Sequence, residues 1–195
     1  DHSRLWPTKV GGSATRVHPR ADARGPLRRR IEIDRYEKVV SMSQKAFQDL
    51  GSVRYCYGCG SDNKMGLRIK SKGKGDEAVC TWKARPHHCG GSKKIVNGGV
   101  IAILIDCHSL NLAIAHAYKK TGRAIGSAPR IAYVTAKLEV SYLRPAPIDK
   151  PLRLHARITK VEGRKTWVSC TLSSQGRTCA TGRALGINVQ RDKEA

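Results

Sequence analysis

The chain has 195 residues, 39% hydrophobic and 27% charged, a composition typical of a globular protein rather than a disordered or fibrous one. No apolar run approaches the 18 residues of a membrane span, and no apolar segment near the start predicts a secretory signal. Seven cysteines, an odd number, argue against a secreted disulfide scaffold. We therefore expect a protein of a reducing, cytoplasmic compartment.

Positive charge dominates, with 37 lysines and arginines against 15 acidic residues and a formal net charge of +22. Such an excess favours a polyanionic partner, which can be a phosphorylated small molecule, a nucleic acid or an acidic membrane surface. The alternative is a background of solvated charges, because the basic residues are spread along the chain. Aromatic residues are only 5% and no known nucleic-acid motif is recognised, which disfavours a nucleic acid.

The first part of the chain differs from the rest. Residues 1–41 contain Arg28-Arg29-Arg30 and little apolar periodicity, which predicts a basic, disordered extension before a folded domain over residues 42–195. Met42 is a candidate natural start, and a processed arginine-rich targeting peptide is the alternative. Residues 42–195 carry 27 basic and 10 acidic residues, which leaves +17, so the folded domain is basic in either case.

The first predicted elements are a hairpin and a helix. Leu67–Lys70 alternates in polarity, and Ala78–Trp82 follows a glycine-rich turn, which predicts two paired strands. Asn97 is the predicted N-cap of a helix from Val100 to about Tyr118. This helix is apolar nearly all round, so we expect it to be buried.

Four more strands separated by turn signals are predicted at Ile131–Leu143, Leu152–Val161, Thr166–Ser173 and Thr178–Gln190. A hairpin, one long helix and four strands in this order predict an α+β fold, in which an antiparallel sheet wraps around one long central helix.

Asp106 is the one carboxylate in the apolar helix. A carboxylate in such surroundings is a candidate nucleophile or general base. The alternatives are that it lies on a solvated stripe of the helix or bonds to the backbone at a bend. Gly98-Gly99 at the helix start offers backbone N–H groups to a carbonyl or oxyanion. Eight residues separate Gly98 from Asp106, about 12 Å along a helix. A site that uses both must therefore join two antiparallel helices from two subunits.

Asn97-Gly98-Gly99 followed by Asp106 resembles the His-Gly-Gly…Asp pattern of hotdog-fold acyl-CoA thioesterases of the phenylacetate-degradation (PaaI) type. The resemblance covers about residues 44–190. Its further motifs are Cys56–Gly60, Asn63, Gly66-Leu67, Tyr142–Ala146 and Gly163–Lys165. It implies a hotdog fold, a homodimer or tetramer, and hydrolysis of acyl-CoA to a free acid and coenzyme A without a cofactor.

The resemblance also implies roles for single residues. Asp106 would attack the thioester or activate water, and Thr135 would help to hold that water. Asn97 and the partner subunit's Gly98 would polarise the thioester carbonyl. Candidates for further substrate contacts are Gly99 and, at the coenzyme A phosphates, Arg144, Arg164 and Lys165.

Two positions depart from the family pattern. Asn97 replaces the usual histidine, and Gly91 stands where some members have a polar amide. Either a neighbouring loop residue such as His87 or His88 takes over, or the rate is lower. These departures are the reason for a second interpretation beside the leading one, namely a non-catalytic hotdog protein that binds acyl-CoA or a lipid. A basic protein associated with nucleic acid is the third.

Cysteines raise the question of zinc. Cys56-x-x-Cys59 with Cys89 and His87 or His88 offers suitable ligand types, but no second Cys-x-x-Cys pair follows, and we expect no metal. We expect Cys107 and Cys170 to be buried as small hydrophobic residues, and His108 to lie in the core or at an interface.

Overall fold

The computed structural model of the chain describes residues 45–51 and 53–190. The predicted extension over residues 1–41 and the candidate start at Met42 lie outside the described residues. The prediction that the domain begins at residue 42 therefore stays a prediction.

The described elements follow one another in a simple order. They are α1 (Phe47–Leu50), β1 (Lys72–Lys74), β2 (Glu77–Trp82), a 3₁₀ turn (Pro86–His88), α2 (Gly98–Lys120), β3 (Ile131–Tyr142), β4 (Leu152–Glu162), β5 (Lys165–Ser174) and β6 (Arg177–Gln190). The predicted long helix and the four strands that follow it are confirmed, with ends that move by one or two residues.

The prediction for the first strand was wrong. Leu67–Lys70 is not a strand, and the hairpin partner of β2 is β1. Arg68 has a φ of +50°, which interrupts an extended backbone. Leu67 and Ile69 alternate with polar residues because both side chains are buried, while their N–H groups bond to the carbonyls of a neighbouring loop. Burial alone produced the strand-like pattern.

The six strands form one antiparallel sheet in the order β1-β2-β4-β5-β6-β3, and α2 packs against β2 to β6. Alternate residues of β5 are buried, so one face of the sheet covers the helix. The predicted architecture, an antiparallel sheet around one long helix, is confirmed. Strand β3 lies at one edge of this sheet, next to β6.

The long helix α2 is apolar enough, by length and composition, to cross a membrane, although no unbroken apolar run suggested this. More than half of its most apolar stretch is buried inside the fold, as expected for the core helix of a globular protein. Asn97 caps it as predicted, and its Oδ1 accepts hydrogen bonds from Gly99 N at 2.7 Å and Val100 N at 3.4 Å.

His108 lies in the core, which confirms one of its two predicted places. Its Nε2 lies 3.2 Å from the carbonyl oxygen of Ala78, and its Nδ1 lies 2.8 Å from the Ser71 hydroxyl. Burial lowers the pKa of His108 to about 4, so the ring is neutral at pH 7. The side chain of Gln48 in turn bonds to Ser71, which joins α1 to α2 through a buried polar chain.

Candidate functional site

Asp106 is half-buried on α2 and has a single hydrogen-bond partner among the described side chains. Its Oδ1 accepts a hydrogen bond from Thr135 Oγ1 on β3 at 2.7 Å. Burial raises the pKa of the Asp106 carboxyl, the Thr135 hydroxyl opposes this, and nearby Cys56 adds to the rise. The structure therefore brings together the two residues that the family resemblance paired.

An irregularity in β3 aims Thr135 at the helix. Thr135 lies opposite Gly186 of β6, whereas the next pair is Lys137 with Leu185, so Ala136 is an extra residue in β3. Because buried Gly186 lies on the helix face of the sheet, the directly opposed Thr135 lies on it too. Leu138 packs on the core. In a regular strand side chains alternate between the two faces, so Thr135, three residues before Leu138, would point away from the helix without the extra residue.

The start of α2 holds the second part of the predicted site. The N–H of Gly99 is taken by the Asn97 cap, while no described residue accepts the N–H of Gly98. Tyr142 at the end of β3 donates its hydroxyl proton to the Gly98 carbonyl oxygen at 2.8 Å. A side-chain carbon on Gly98 would lie 3.5 Å from the Tyr142 ring. Gly98, rather than Gly99, is therefore the free donor of this helix end.

One chain does not bring these two parts together. Gly98 and Asp106 are separated by about 12 Å of helix. Their partners on β3 are also far apart, because Thr135 lies in the first half of the strand and Tyr142 is its last residue. Each part is complete within the chain, but no single carbonyl can reach both.

The three predicted phosphate contacts also fall into two groups. Arg144 follows β3 near the start of α2, and its guanidinium donates to the Thr178 carbonyl at 3.0 Å. Arg164 and Lys165 are exposed at the turn between β4 and β5. Lys165 pairs with Ile187 of β6, which in turn pairs with the β3 residue before Thr135, so this turn lies at the Thr135 end of the sheet.

His88 is not free to replace the missing polar groups of the family pattern, whereas a role for exposed His87 stays a prediction. His88 is buried against Trp82, with ring centroids 5.0 Å apart, and its Nδ1 accepts from the Arg85 N–H at 2.9 Å. His87 is exposed and packs edge-on against His88. Gly91 is exposed, and a side-chain carbon there would have no atom of the described residues within 4 Å.

Two features of the site region were missed from the sequence. Tyr142 belongs to the family motif Tyr142–Ala146, but no pattern in the sequence around it indicated its hydrogen bond to Gly98. Cys107 was predicted to be buried, and it is, but its sulfur also lies within 4.8 Å of the sulfurs of Cys56 and Cys59. Cys170 is buried as predicted. Gly58 and Gly60 in the Cys-x-x-Cys loop were the sequence signal available for close packing of this loop against a neighbouring element.

The family sequence model described as Thioesterase superfamily matches residues 93–181, which include Gly98, Asp106 and Thr135. A thioesterase superfamily protein from Shewanella loihica is 33% identical, and the match covers 62% of this chain and 90% of that one, with a TM-score of 0.50. The chain belongs to the thioesterase superfamily. The predicted hotdog fold is confirmed by the same likeness.

Two further relatives show a lower sequence identity to the chain. The PaaI protein of E. coli shares the fold at 17% identity, over 63% of this chain and 80% of that one, with a TM-score of 0.53. Acyl-coenzyme A thioesterase THEM4 of Bos taurus is 27% identical over 116 residues, which are 60% of this chain and 42% of the relative. The chain therefore matches about two fifths of the length of that curated relative.

Proposed function

We propose that this thioesterase superfamily member hydrolyses acyl-CoA to a free carboxylic acid and coenzyme A. The observation that carries the proposal is the half-buried Asp106 carboxylate, which Thr135 holds at 2.7 Å on a helix of apolar neighbours. A thioester carbonyl is already electrophilic, so a carboxylate and an oxyanion donor suffice and no cofactor is required. The acyl-CoA thioesterase activity in the printed name of THEM4 is consistent with this substrate class.

The hydrogen bond from Thr135 gives the two oxygens of the Asp106 carboxylate different roles. Thr135 occupies Oδ1, which leaves Oδ2 to face the thioester. As a general base, Oδ2 takes a proton from water while the water oxygen bonds to the carbonyl carbon. As a nucleophile, Oδ2 bonds to that carbon itself and forms an anhydride that water then cleaves. In both routes the C–S bond breaks and coenzyme A leaves as the thiolate.

A dimer supplies the missing donor. Strand β3 is an edge strand of 12 residues, and exposed apolar side chains accompany it at Val134, Tyr142 and Leu143. An exposed edge of this kind is a template for pairing with a second copy. Antiparallel pairing of the two β3 edges about a two-fold axis sets the Tyr142 end of one chain beside the Thr135 end of the other. The partner subunit's Gly98 N–H then lies near Asp106.

The same two-fold arrangement unites the basic residues. Arg144 belongs to the Gly98 end, whereas Arg164 and Lys165 belong to the Thr135 end. Antiparallel pairing brings the two groups to one side of the shared site, where the phosphates of coenzyme A would meet several cations.

The free thiols of all seven cysteines favour a reducing, cytoplasmic location for this enzyme.

A second candidate function is acyl-CoA binding without turnover. Asn97 has no imidazole to offer, and its Oδ1 is committed to the helix cap, so only its amide Nδ2 can donate to a ligand. His88 is buried elsewhere and does not compensate.

The decisive experiment measures free thiol released from short, medium, long and aromatic acyl-CoA thioesters. Asp106→Asn keeps the size of the side chain and removes the charge, and Asp149→Asn on an exposed loop is the matched control. We expect turnover that is lost in Asp106→Asn and kept in Asp149→Asn. A folded dimer that binds acyl-CoA and never releases thiol would instead support the binding protein. Wild-type activity in Asp106→Asn would overturn the proposed role of this carboxylate.

A further inference from the structure

The loop around Cys56 is seated directly on α2, one residue from Asp106. The Sγ atoms of Cys56 and Cys107 are 3.7 Å apart, and the sulfurs of Cys56, Cys59 and Cys107 all lie within 4.8 Å of one another. Among the residues that the structure describes, this is the one group of three or more side chains of metal-binding type.

The loop is built for this close approach. A side-chain carbon on Gly58 would lie 2.3 Å from the Cys107 sulfur, so only glycine fits between the loop and the helix. The Gly60 N–H donates to the Cys56 carbonyl at 2.8 Å and closes the turn that places Cys59 beside Cys56. The carbonyls of Tyr57 and Gly58 accept hydrogen bonds from the Leu67 and Ile69 N–H groups, and the Tyr55 carbonyl accepts one from the Asn63 amide. These bonds fix the turn before any ligand binds.

The separation of the Cys56 and Cys107 sulfurs is too long for a disulfide and fits two ligands of one metal ion. A disulfide requires about 2.05 Å between sulfurs. Four ligands at about 2.3 Å from a tetrahedral zinc ion are about 3.8 Å from one another. The separation of Cys56 and Cys107, 3.7 Å, agrees with the second value.

We propose that Cys56, Cys59 and Cys107 form a binding site for a thiophilic divalent ion, Zn²⁺. Three thiolates occupy three corners of a tetrahedron, and water or another small ligand takes the fourth. Sulfur ligands select zinc over magnesium or calcium, which prefer oxygen. The ion would fasten the Cys56–Gly60 loop to α2 beside Asp106. This inference is independent of the proposed hydrolysis.

Burial shields the cluster and still leaves it reachable from solvent. Cys59 and Cys107 are buried, whereas Cys56 is half-buried. The amide of Asn111 donates to the Cys107 carbonyl at 2.7 Å and fixes this part of the helix.

The sequence pointed to other partners for the Cys-x-x-Cys pair. Cys89 lies in a separate loop, where its backbone forms a bridge with Val96. His88 is buried against Trp82. The third ligand therefore comes from the helix, and not from the loop between β2 and α2.

Cobalt titration tests the site without any substrate. The full chain is treated with a chelator under a non-thiol reductant, freed of both by gel filtration, and titrated with CoCl₂ and then with ZnCl₂. We expect one cobalt ion per chain, a sulfur-to-cobalt charge-transfer band in the near ultraviolet, and intense visible bands of tetrahedral Co²⁺. Zinc should bleach these bands, because it binds the same thiolates more tightly.

Variants identify the ligands. Cys107→Ala should lose the charge-transfer band, whereas Cys89→Ser, which changes a part-buried cysteine outside the cluster, should keep it. Circular dichroism checks the fold, and Cys56→Ser on the half-buried loop serves if Cys107→Ala does not fold. Fully reduced wild-type protein without a thiolate band would overturn the proposal. An unchanged band in folded Cys107→Ala or Cys56→Ser would overturn it as well.

Discussion

The hydroxyl of Tyr142 donates a hydrogen bond to the Gly98 carbonyl oxygen at 2.8 Å, and so joins the last residue of β3 to the first residue of α2. The bond fixes the peptide group next to the free N–H of Gly98. Because Thr135 on the same strand holds Asp106, β3 orients both parts of the candidate site.

Tyr142→Phe tests the first of these contacts. The variant keeps the ring and loses the hydroxyl, so Gly98 becomes less well oriented while packing is kept. We expect kcat/KM for acyl-CoA to fall by roughly tenfold, with a loss of about 1 kcal/mol or less in unfolding free energy, because the bond is exposed to solvent. Steady-state kinetics and urea denaturation measure the two effects. Unchanged kinetics would show that this hydroxyl does not position the donor.

Thr135 should control both the rate and the pH dependence. The hydroxyl stabilises the charged form of Asp106, so Thr135→Ala should raise the pKa of that carboxyl further. In the proposed mechanism activity requires the Asp106 carboxylate, so it is lost as pH falls through the pKa of this group. The acidic limb of kcat/KM should therefore move to higher pH in Thr135→Ala.

Thr135→Ser is the matched control for this prediction, because it keeps the hydroxyl and should keep the wild-type profile. We expect Thr135→Ala to be slower by about tenfold or more at pH 7. Identical pH profiles for the alanine and serine variants would contradict the role of the hydrogen bond.

The sequence predicted the long helix and the last four strands because their signal, the spacing of apolar residues, is local. Asp106 was found for the same reason, as one carboxylate in an apolar helix. The direction of Thr135 depends on one extra residue in β3, at Ala136, which no alternation of side chains reveals. The family resemblance supplied Thr135, and the structure supplied the physical reason.

Contacts between residues far apart in the sequence could not be predicted from local sequence patterns. Fifty-one residues separate Cys56 from Cys107, and 44 separate Gly98 from Tyr142. Only the packing of the loop and of β3 on α2 brings these pairs together. The strand predicted at Leu67–Lys70 is wrong for a different reason. Two buried side chains produce the alternating pattern of a strand in a segment whose backbone is irregular.

A mixing experiment tests whether two subunits share the site. Asp106→Asn and Gly98→Val each damage a different half, so a mixed dimer contains one intact pair. Random exchange places half of the chains in mixed dimers, each with one of two sites intact, so about a quarter of wild-type turnover should return. The measurement is thiol release after the two inactive variants are unfolded and refolded together.

The control for the mixing experiment combines Asp106→Asn with Asp106→Ala. Neither chain provides the carboxylate, so no activity should return. Circular dichroism of Gly98→Val confirms that the helix start still folds beside Tyr142. If both mixtures stay inactive although mixed dimers form, each site lies within one chain and the shared site is wrong.

His108 should make stability depend on pH. Its pKa is about 4 in the folded protein and 6.5 when unfolded, so the unfolded chain binds more protons between these values. Unfolding free energy should therefore fall as pH decreases from 6.5 to 4, by an amount on the order of 3 kcal/mol.

His108→Asn should be less stable than wild type at pH 7, because it breaks bonds to Ser71 and Ala78, yet its stability should vary less between pH 6.5 and pH 4. Exposed His87→Asn is the control and should keep the wild-type dependence. Denaturant titrations across this range measure both. Equal pH dependence in wild type and His108→Asn would contradict the assignment.

The basic residues at the turn between β4 and β5 should act on substrate binding rather than on chemistry. Arg164→Ala combined with Lys165→Ala removes two exposed cations that we assign to coenzyme A phosphates. We expect KM for an acyl-CoA to rise by roughly tenfold with little change in kcat, because phosphate contacts form equally in the ground and transition states. The corresponding acyl-pantetheine, which lacks the phosphates, should show no change in KM.

The control variant is Lys120→Ala, which removes an exposed cation at the end of α2, outside the turn between β4 and β5. Added salt should narrow the difference between wild type and the double variant, since it screens exposed charges. A rise in KM that is equal for both substrates would mean that these side chains shape the acyl or pantetheine pocket and do not bind phosphate.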